Sequence, residues 1–199
     1  MPENRKTQAP HIDPRSPLVL DTRELGRRPG SMKRLRRPVP APDGFGLELI
    51  GVPRGANVDL DLRLESVMEG VLVSGTATMS VEGECGRCLD PVSESVVVNV
   101  QELYAYPDSA SDYTSSEEEI SRLQGDLLDL EPVLRDAVVL ALPTNPLCRP
   151  DCPGLCSECG EHWDELPEGH NHEQVDPRWA ALQQMIEPSP DEATRSQEK

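Results

Sequence analysis

Val58-Asp59-Leu60-Asp61-Leu62-Arg63-Leu64-Glu65 alternates apolar and charged residues at every position. A period of two belongs to a β-strand, whose successive side chains point to opposite faces. The stretch therefore predicts an antiparallel strand with one face in a core and the other in water. The same period continues downstream. Val71, Val73, Gly75, Ala77, Met79 and Val81 share one side of residues 71–81, and residues 96–104 supply a further strand. Upstream, Leu47 and Leu49 alternate with polar neighbours from residue 45, and Pro17-Leu18-Val19-Leu20-Asp21 starts a short strand. Several strands in succession predict an antiparallel β-meander or partly open barrel.

The period then changes. Leu130, Val133, Leu134, Ala137, Val138 and Leu142 fall on one side of a helix over residues 129–142, with Pro132 in its first turn and Pro143 as its stop. A second helix is expected from Asp176-Pro177 through Trp179, Leu182 and Met185. Residues 106–124, with Pro107, Asp108, Asp112 and Glu117-Glu118-Glu119, read as a solvated loop. The expected fold class is α+β: a meander with a packed helix and a small C-terminal lobe, zinc-bound if the cysteines read next are ligands. The expected organisation is a disordered polar tail at 1–17, a β-rich domain at 18–146, a cysteine-rich segment at 147–187, read below as metal-binding, and a disordered polar tail at 188–199.

Six cysteines and a few histidines carry the chemistry. The candidate ligands are Cys85 and Cys88, then Cys148, Cys152, Cys156 and Cys159, then His170 and His172. Zn2+ takes four Cys or His ligands in a tetrahedron, so eight candidates make two sets. Cys156 and Cys159 precede His170 closely, and closing so short a loop costs little entropy. His170 and His172 point to one side of an extended segment. They form a local set with Cys156 and Cys159, or else are simply solvated in a polar loop. Cys85, Cys88, Cys148 and Cys152 remain for the other set, which would tie a strand-to-strand turn to the segment after the helix. Gly86 and Gly160 are expected to give the tight backbone that metal knuckles need. The competing reading, a thiol redox pair, accounts for one CxxC but not for the other four cysteines.

A filled tetrahedron leaves no position for a catalytic water. The sequence has no GxSxG, GxxxxGK[ST] or GxGxxG. A non-enzymatic protein without a small-molecule substrate is expected. The start carries no apolar leader, and the longest central apolar run, Ala137 to Leu142, is far short of the about twenty residues a membrane span needs. A soluble, cytoplasmic protein with no membrane partner follows. In a reducing cytosol the cysteines read as ligands, not disulfides.

Charge is uneven. The chain carries −17 in all, but residues 1–40 hold ten Lys/Arg against four Asp/Glu. Arg27, Arg28, Lys33, Arg34, Arg36 and Arg37 form a basic arm, read as a flexible Gly/Pro segment. It is either a solubilising loop or a contact for RNA phosphates. The acidic remainder would suit a basic protein partner. A zinc-ribbon transcription regulator needs a basic metal-bearing segment. Residues 148–176 instead hold eight Asp/Glu against the single Arg149.

Several motifs resemble the YceD-like family of bacterial and plastid proteins. Gly83-Glu84-Cys85-Gly86-Arg87-Cys88-Leu89 is similar to its C-x-R-C-L segment. Asp129-Leu130-Glu131-Pro132, leading to Leu140-Ala141-Leu142-Pro143-Thr144-Asn145-Pro146-Leu147-Cys148, is similar to its acidic helix start and L-A-L-P-x-x-P-x-C/H ending. Asp151-Cys152-Pro153-Gly154-Leu155-Cys156-Ser157-Glu158-Cys159-Gly160 resembles its Gram-positive variant, and Asp176-Pro177-Arg178-Trp179-Ala180-Ala181-Leu182 its D-P-R-x-x-x-L close. The likeness spans about residues 18–186, with His170-Asn171-His172 standing where many Gram-positive relatives have C-x-C. Some relatives keep only the first four ligand positions, which favours the same partition. The resemblance implies a role in the accumulation of large-subunit ribosomal RNA, with ribosomal RNA or a basic large-subunit ribosomal protein as partner.

Overall fold

A computed structural model of the chain describes residues 12–109 and 121–172, together with Arg178. The second helix expected from Asp176 and the C-terminal tail lie outside the described residues, as do residues 1–11 and 110–120. The chain divides into two compact units, Met1–Cys152 and Pro153–Lys199.

The first unit holds β1 (Val19–Asp21), β2 (Met32–Pro40), β3 (Ile50–Gly51), β4 (Asn57–Ser66), β5 (Gly70–Glu84), β6 (Pro91–Ala105), β7 (Leu127–Asp129) and α1 (Glu131–Ala141). β2, β4, β5 and β6 lie side by side, all antiparallel, and β3 pairs with the far end of β5. The sheet is a meander that does not close into a barrel. β1 and β7 make a separate antiparallel pair.

β4 repeats the sequence pattern in space. Val58, Leu60, Leu62 and Leu64 are buried, while Asp59, Asp61 and Arg63 are exposed. β5 adds Val71, Val73, Ala77, Met79 and Val81 to the same buried face, and β6 adds Val98, Val100 and Tyr104. Gly75 sits mid-strand at φ 150°, where a Cβ would lie 2.1 Å from the Asp61 carbonyl oxygen. Only glycine permits that approach of β4 to β5.

Helix α1 closes the core with Leu134 and Val138, both fully buried, flanked by Leu130 and Leu142. Pro132 lies in its first turn, where a missing N–H costs nothing. Asp129 does not begin the helix as the sequence suggests. It ends β7, and its carboxylate accepts the Glu131 N–H at 2.9 Å. The Tyr104 hydroxyl donates to the Asp129 carbonyl at 2.8 Å, joining β6 to the β7–α1 junction.

Three further expectations are corrected. The basic arm is not a loose segment throughout, because Lys33, Arg34, Arg36 and Arg37 lie on a strand whose residues 32–40 pair with β4 along their whole length. Its apolar signal is thin, with Leu35 partly buried and only Val39 fully so, which is how an edge strand reads. Leu47 and Leu49 do not form a strand; Leu49 is exposed, and pairing starts at Ile50. The loop at 106–124 is not solvated throughout, since Leu123 is buried and donates its N–H to the Ala105 carbonyl.

Candidate metal centres

The turn between β5 and β6, residues 85–90, is itself a cysteine knuckle. The Cys85 N–H donates to the Asp90 carbonyl at 2.8 Å and the Leu89 N–H to the Cys85 carbonyl at 2.9 Å. Cys148 and Cys152, which follow α1, face this turn. Cys85 Sγ lies 3.8 Å from Cys152 Sγ, and Cys88 Sγ lies 3.5 Å from Cys148 Sγ. A tetrahedral zinc with Zn–S bonds of about 2.3 Å requires sulfur–sulfur edges of roughly 3.8 Å. The residues fit the ion.

Three of the four cysteines are buried, and Cys148 is exposed. Burial pushes the Cys85 thiol up, but N–H donors of Cys148, Cys88 and Arg87 outweigh it and hold the group at about 6. Cys88 is pushed well above the ordinary thiol range by burial, with the Asp90 carboxyl and the Cys85 and Cys148 thiols adding to the rise. Crowded thiols that cannot all ionise are relieved by a divalent cation. Two contacts clamp the site: the Gly86 N–H donates to the Pro146 carbonyl at 2.8 Å, and the Arg87 guanidinium to the Cys152 carbonyl at 2.7 Å.

The second unit repeats the knuckle. The Cys156 N–H donates to the Glu161 carbonyl at 2.8 Å and the Gly160 N–H to the Cys156 carbonyl at 2.9 Å, the same pattern as at Cys85. N–H groups of Cys159 and Glu158 hold the Cys156 thiol at about 6, against the effect of burial. Cys159 Sγ lies 3.6 Å from His170 Nε2, matching the roughly 3.6 Å sulfur–nitrogen edge of a zinc tetrahedron. His170 and His172 bring their Nε2 atoms to 2.8 Å, a shorter edge than the roughly 3.3 Å such a tetrahedron has. The rings must part slightly to admit an ion. In each set the ligand atoms lie within 4.8 Å of one another, and the two sets are those of the sequence partition.

The knuckles correct one expectation and add one residue. Gly86 does not supply the left-handed turn; Leu89 does, at φ 65°, in the place Gly160 takes at φ 75°. Gly86 serves a different need, since a Cβ there would lie 2.0 Å from the Asn145 side-chain oxygen. Arg87 was legible as a motif residue, but nothing in the sequence showed that its guanidinium reaches the Cys152 carbonyl.

The six cations of the arm are not one surface. By strand alternation Lys33 and Arg37 share the core-facing side of β2 with Leu35 and Val39, while Arg34 and Arg36 face outward. Lys33 pairs with Glu24, Arg36 with Asp61, and Arg37 donates to the Pro17 carbonyl. Arg27 lies over the Tyr106 ring at 4.8 Å, and Arg28 is exposed in the loop before β2. Arg63 stands opposite Arg34 and joins the outward pair, a cation the sequence reading did not include. No helix among the described residues is long and apolar enough to cross a membrane.

Residues 73–186 match the family described as large ribosomal RNA subunit accumulation protein YceD. The uncharacterized protein Rv2926c of Mycobacterium tuberculosis is 53% identical over 88% of this chain and 84% of its own. The uncharacterized protein ML1660 of Mycobacterium leprae is 46% identical over 87% and 79%. The uncharacterized protein YlbN of Bacillus subtilis is 22% identical over 63% and 70%. No solved structure matches the chain.

Proposed function

The chain belongs to the family of the large ribosomal RNA subunit accumulation protein YceD, and from that premise we propose that it acts in the cytoplasm as a non-enzymatic factor in large ribosomal subunit biogenesis, supporting accumulation of the ribosomal RNA. The observation that carries this reading is the family match, which takes in both knuckles and helix α1.

Zinc is the proposed occupant of both centres, held by Cys85, Cys88, Cys148 and Cys152 in one and by Cys156, Cys159, His170 and His172 in the other. Such sets are closed, so the ions would hold chain segments together and activate no water. That supports a binding role over catalysis, including thiol redox chemistry. Residues 153–172 hold five Asp/Glu and no Lys or Arg. This speaks against a zinc ribbon that reads DNA.

Ribosomal RNA is the proposed partner of the basic region, through Arg27, Arg28, Lys33, Arg34, Arg36 and Arg37. Phosphate contacts from an edge strand and the loop before it would give salt-dependent, largely sequence-independent affinity. Replacing all six with Gln and measuring binding to ribosomal RNA across a salt series tests this. The variant is expected to bind more weakly and with a shallower salt slope; binding as tight as the parent's, with the same slope, overturns the RNA contact. A second reading, capture of a basic large-subunit ribosomal protein, rests on residues 41–199, which hold thirty-two Asp/Glu against nine Lys/Arg. Identifying the RNA and protein crosslinked to the chain in cells separates the two.

A further inference from the structure

The two centres differ in how each ligand is held. Cys85, Cys88 and Cys152 are 0%, 4% and 2% exposed, and their two chain segments are locked by the Gly86–Pro146 and Arg87–Cys152 bonds. Freeing either cysteine pair means opening the β5–β6 turn or the segment after α1. In the other centre only Cys156 is buried; Cys159 and His172 are exposed, and His170 is half-buried. The two imidazoles sit two residues apart on one segment, whose backbone is turned by the His170 N–H donating to the Pro167 carbonyl.

We propose that the centres are unequal in kind, an inference that rests on reading both as zinc sites. The four-cysteine centre keeps its ion for as long as the β-domain stays folded. The Cys156/Cys159/His170/His172 centre exchanges its ion with the surroundings, so the unit Pro153–Lys199 takes its metal-bound form only when zinc is available. Exchange at the exposed centre needs only a local opening, because both imidazoles can swing away together while the Cys156 knuckle holds its shape. Water or a competing ligand takes the vacated positions, and Zn2+ leaves without any change of oxidation state. The thiolates left behind take protons from water. Exchange at the four-cysteine centre, where Cys148 alone is exposed, needs the clamps to break first, so it is tied to unfolding of the domain.

The test uses the full chain loaded with zinc and challenged with excess of a chromophoric chelator. The Trp179→Phe background leaves Trp163, whose indole meets the His170 ring edge-on at 5.7 Å, as the fluorescent reporter. Two phases of release are expected, one ion each, with rates differing by about tenfold or more, the scale on which outer contacts tune metal sites. Trp163 emission should change with the fast phase, and the far-ultraviolet strand signal only with the slow one. The double variant His170→Ala/His172→Ala should retain the slow ion alone. Release of both ions in one phase, a Trp163 signal that follows the slow phase, or loss of the slow ion from the double variant would each overturn the proposal. A chain that takes up no zinc at all would sink the metal reading itself, a different result from two ions leaving together.

Discussion

Leu89 and Gly160 occupy the same left-handed position in two knuckles with the same hydrogen bonds, yet one carries a side chain. A non-glycine residue there costs about 1–2 kcal/mol, offset in part by the greater unfolded-state entropy of glycine. Leu89→Gly should therefore leave stability unchanged or raise it by less than about 1 kcal/mol, since Leu89 is 58% exposed and gives up little burial. Gly160→Ala should cost about 1 kcal/mol and weaken zinc at its knuckle, read by chelator competition. With zinc bound, Arg87 would act as a positioning residue for the other centre. Four thiolates around Zn2+ carry two net negative charges, which a nearby guanidinium offsets while its bond to the Cys152 carbonyl fixes the segment. Arg87→Met should lower zinc affinity at that centre about 10–100-fold, with Arg87→Lys recovering part of the loss because the charge remains without the planar fork. Unchanged affinity in Arg87→Met would leave Arg87 with no part in holding the metal.

Strands β4, β5 and β6 were legible because their side chains alternate between a continuous core and water. β2 was not, because an edge strand carries Lys33, Arg34, Arg36 and Arg37 on both of its faces and needs few apolar residues. β3 and β7 are too short for any period to show, and Asp129 misled because it ends a strand while its carboxylate accepts the first N–H of the helix. Two predictions belong at this scale. Tyr104→Phe removes the hydroxyl that satisfies the Asp129 carbonyl, and should cost about 1–3 kcal/mol in chemical denaturation. A variant as stable as the parent would show that the carbonyl finds another donor. Gly75→Ala pushes a Cβ into the β4 backbone and should destabilise the sheet by about 1–3 kcal/mol. Thermal melts check it, and an unchanged midpoint would show that β4 and β5 can move apart there.

At the scale of the whole chain, the grouping of the cysteines and histidines follows the sequence partition: Cys156, Cys159, His170 and His172 close over a short loop at little entropic cost, whereas Cys85, Cys88, Cys148 and Cys152, far apart in the chain, were reached only as the remainder. Function was not legible. Charge left the choice between an RNA partner and a basic protein partner open, and the ribosome-related theme comes from the family. Zinc binding to the folded state alone stabilises it by mass action, about 2.7 kcal/mol at a hundredfold excess over Kd. Cys88→Ser should remove that gain from the unit Met1–Cys152, lowering its melting midpoint and abolishing the difference between zinc-loaded and chelator-treated protein. A midpoint that still responds to chelator as the parent's does would show that Cys88 is not a ligand. The placement of this knuckle has one more effect. It is the loop of a hairpin that pairs fifteen residues on each side, from Glu84 with Pro91 to Gly70 with Ala105. A slip of one residue anywhere along that ladder would turn every valine of β5 to the wrong face. The chain can close this six-residue loop long before the distant Cys148 and Cys152 arrive. A loop that short closes at little entropic cost, so the knuckle is the cheapest point from which to start the ladder in its correct register.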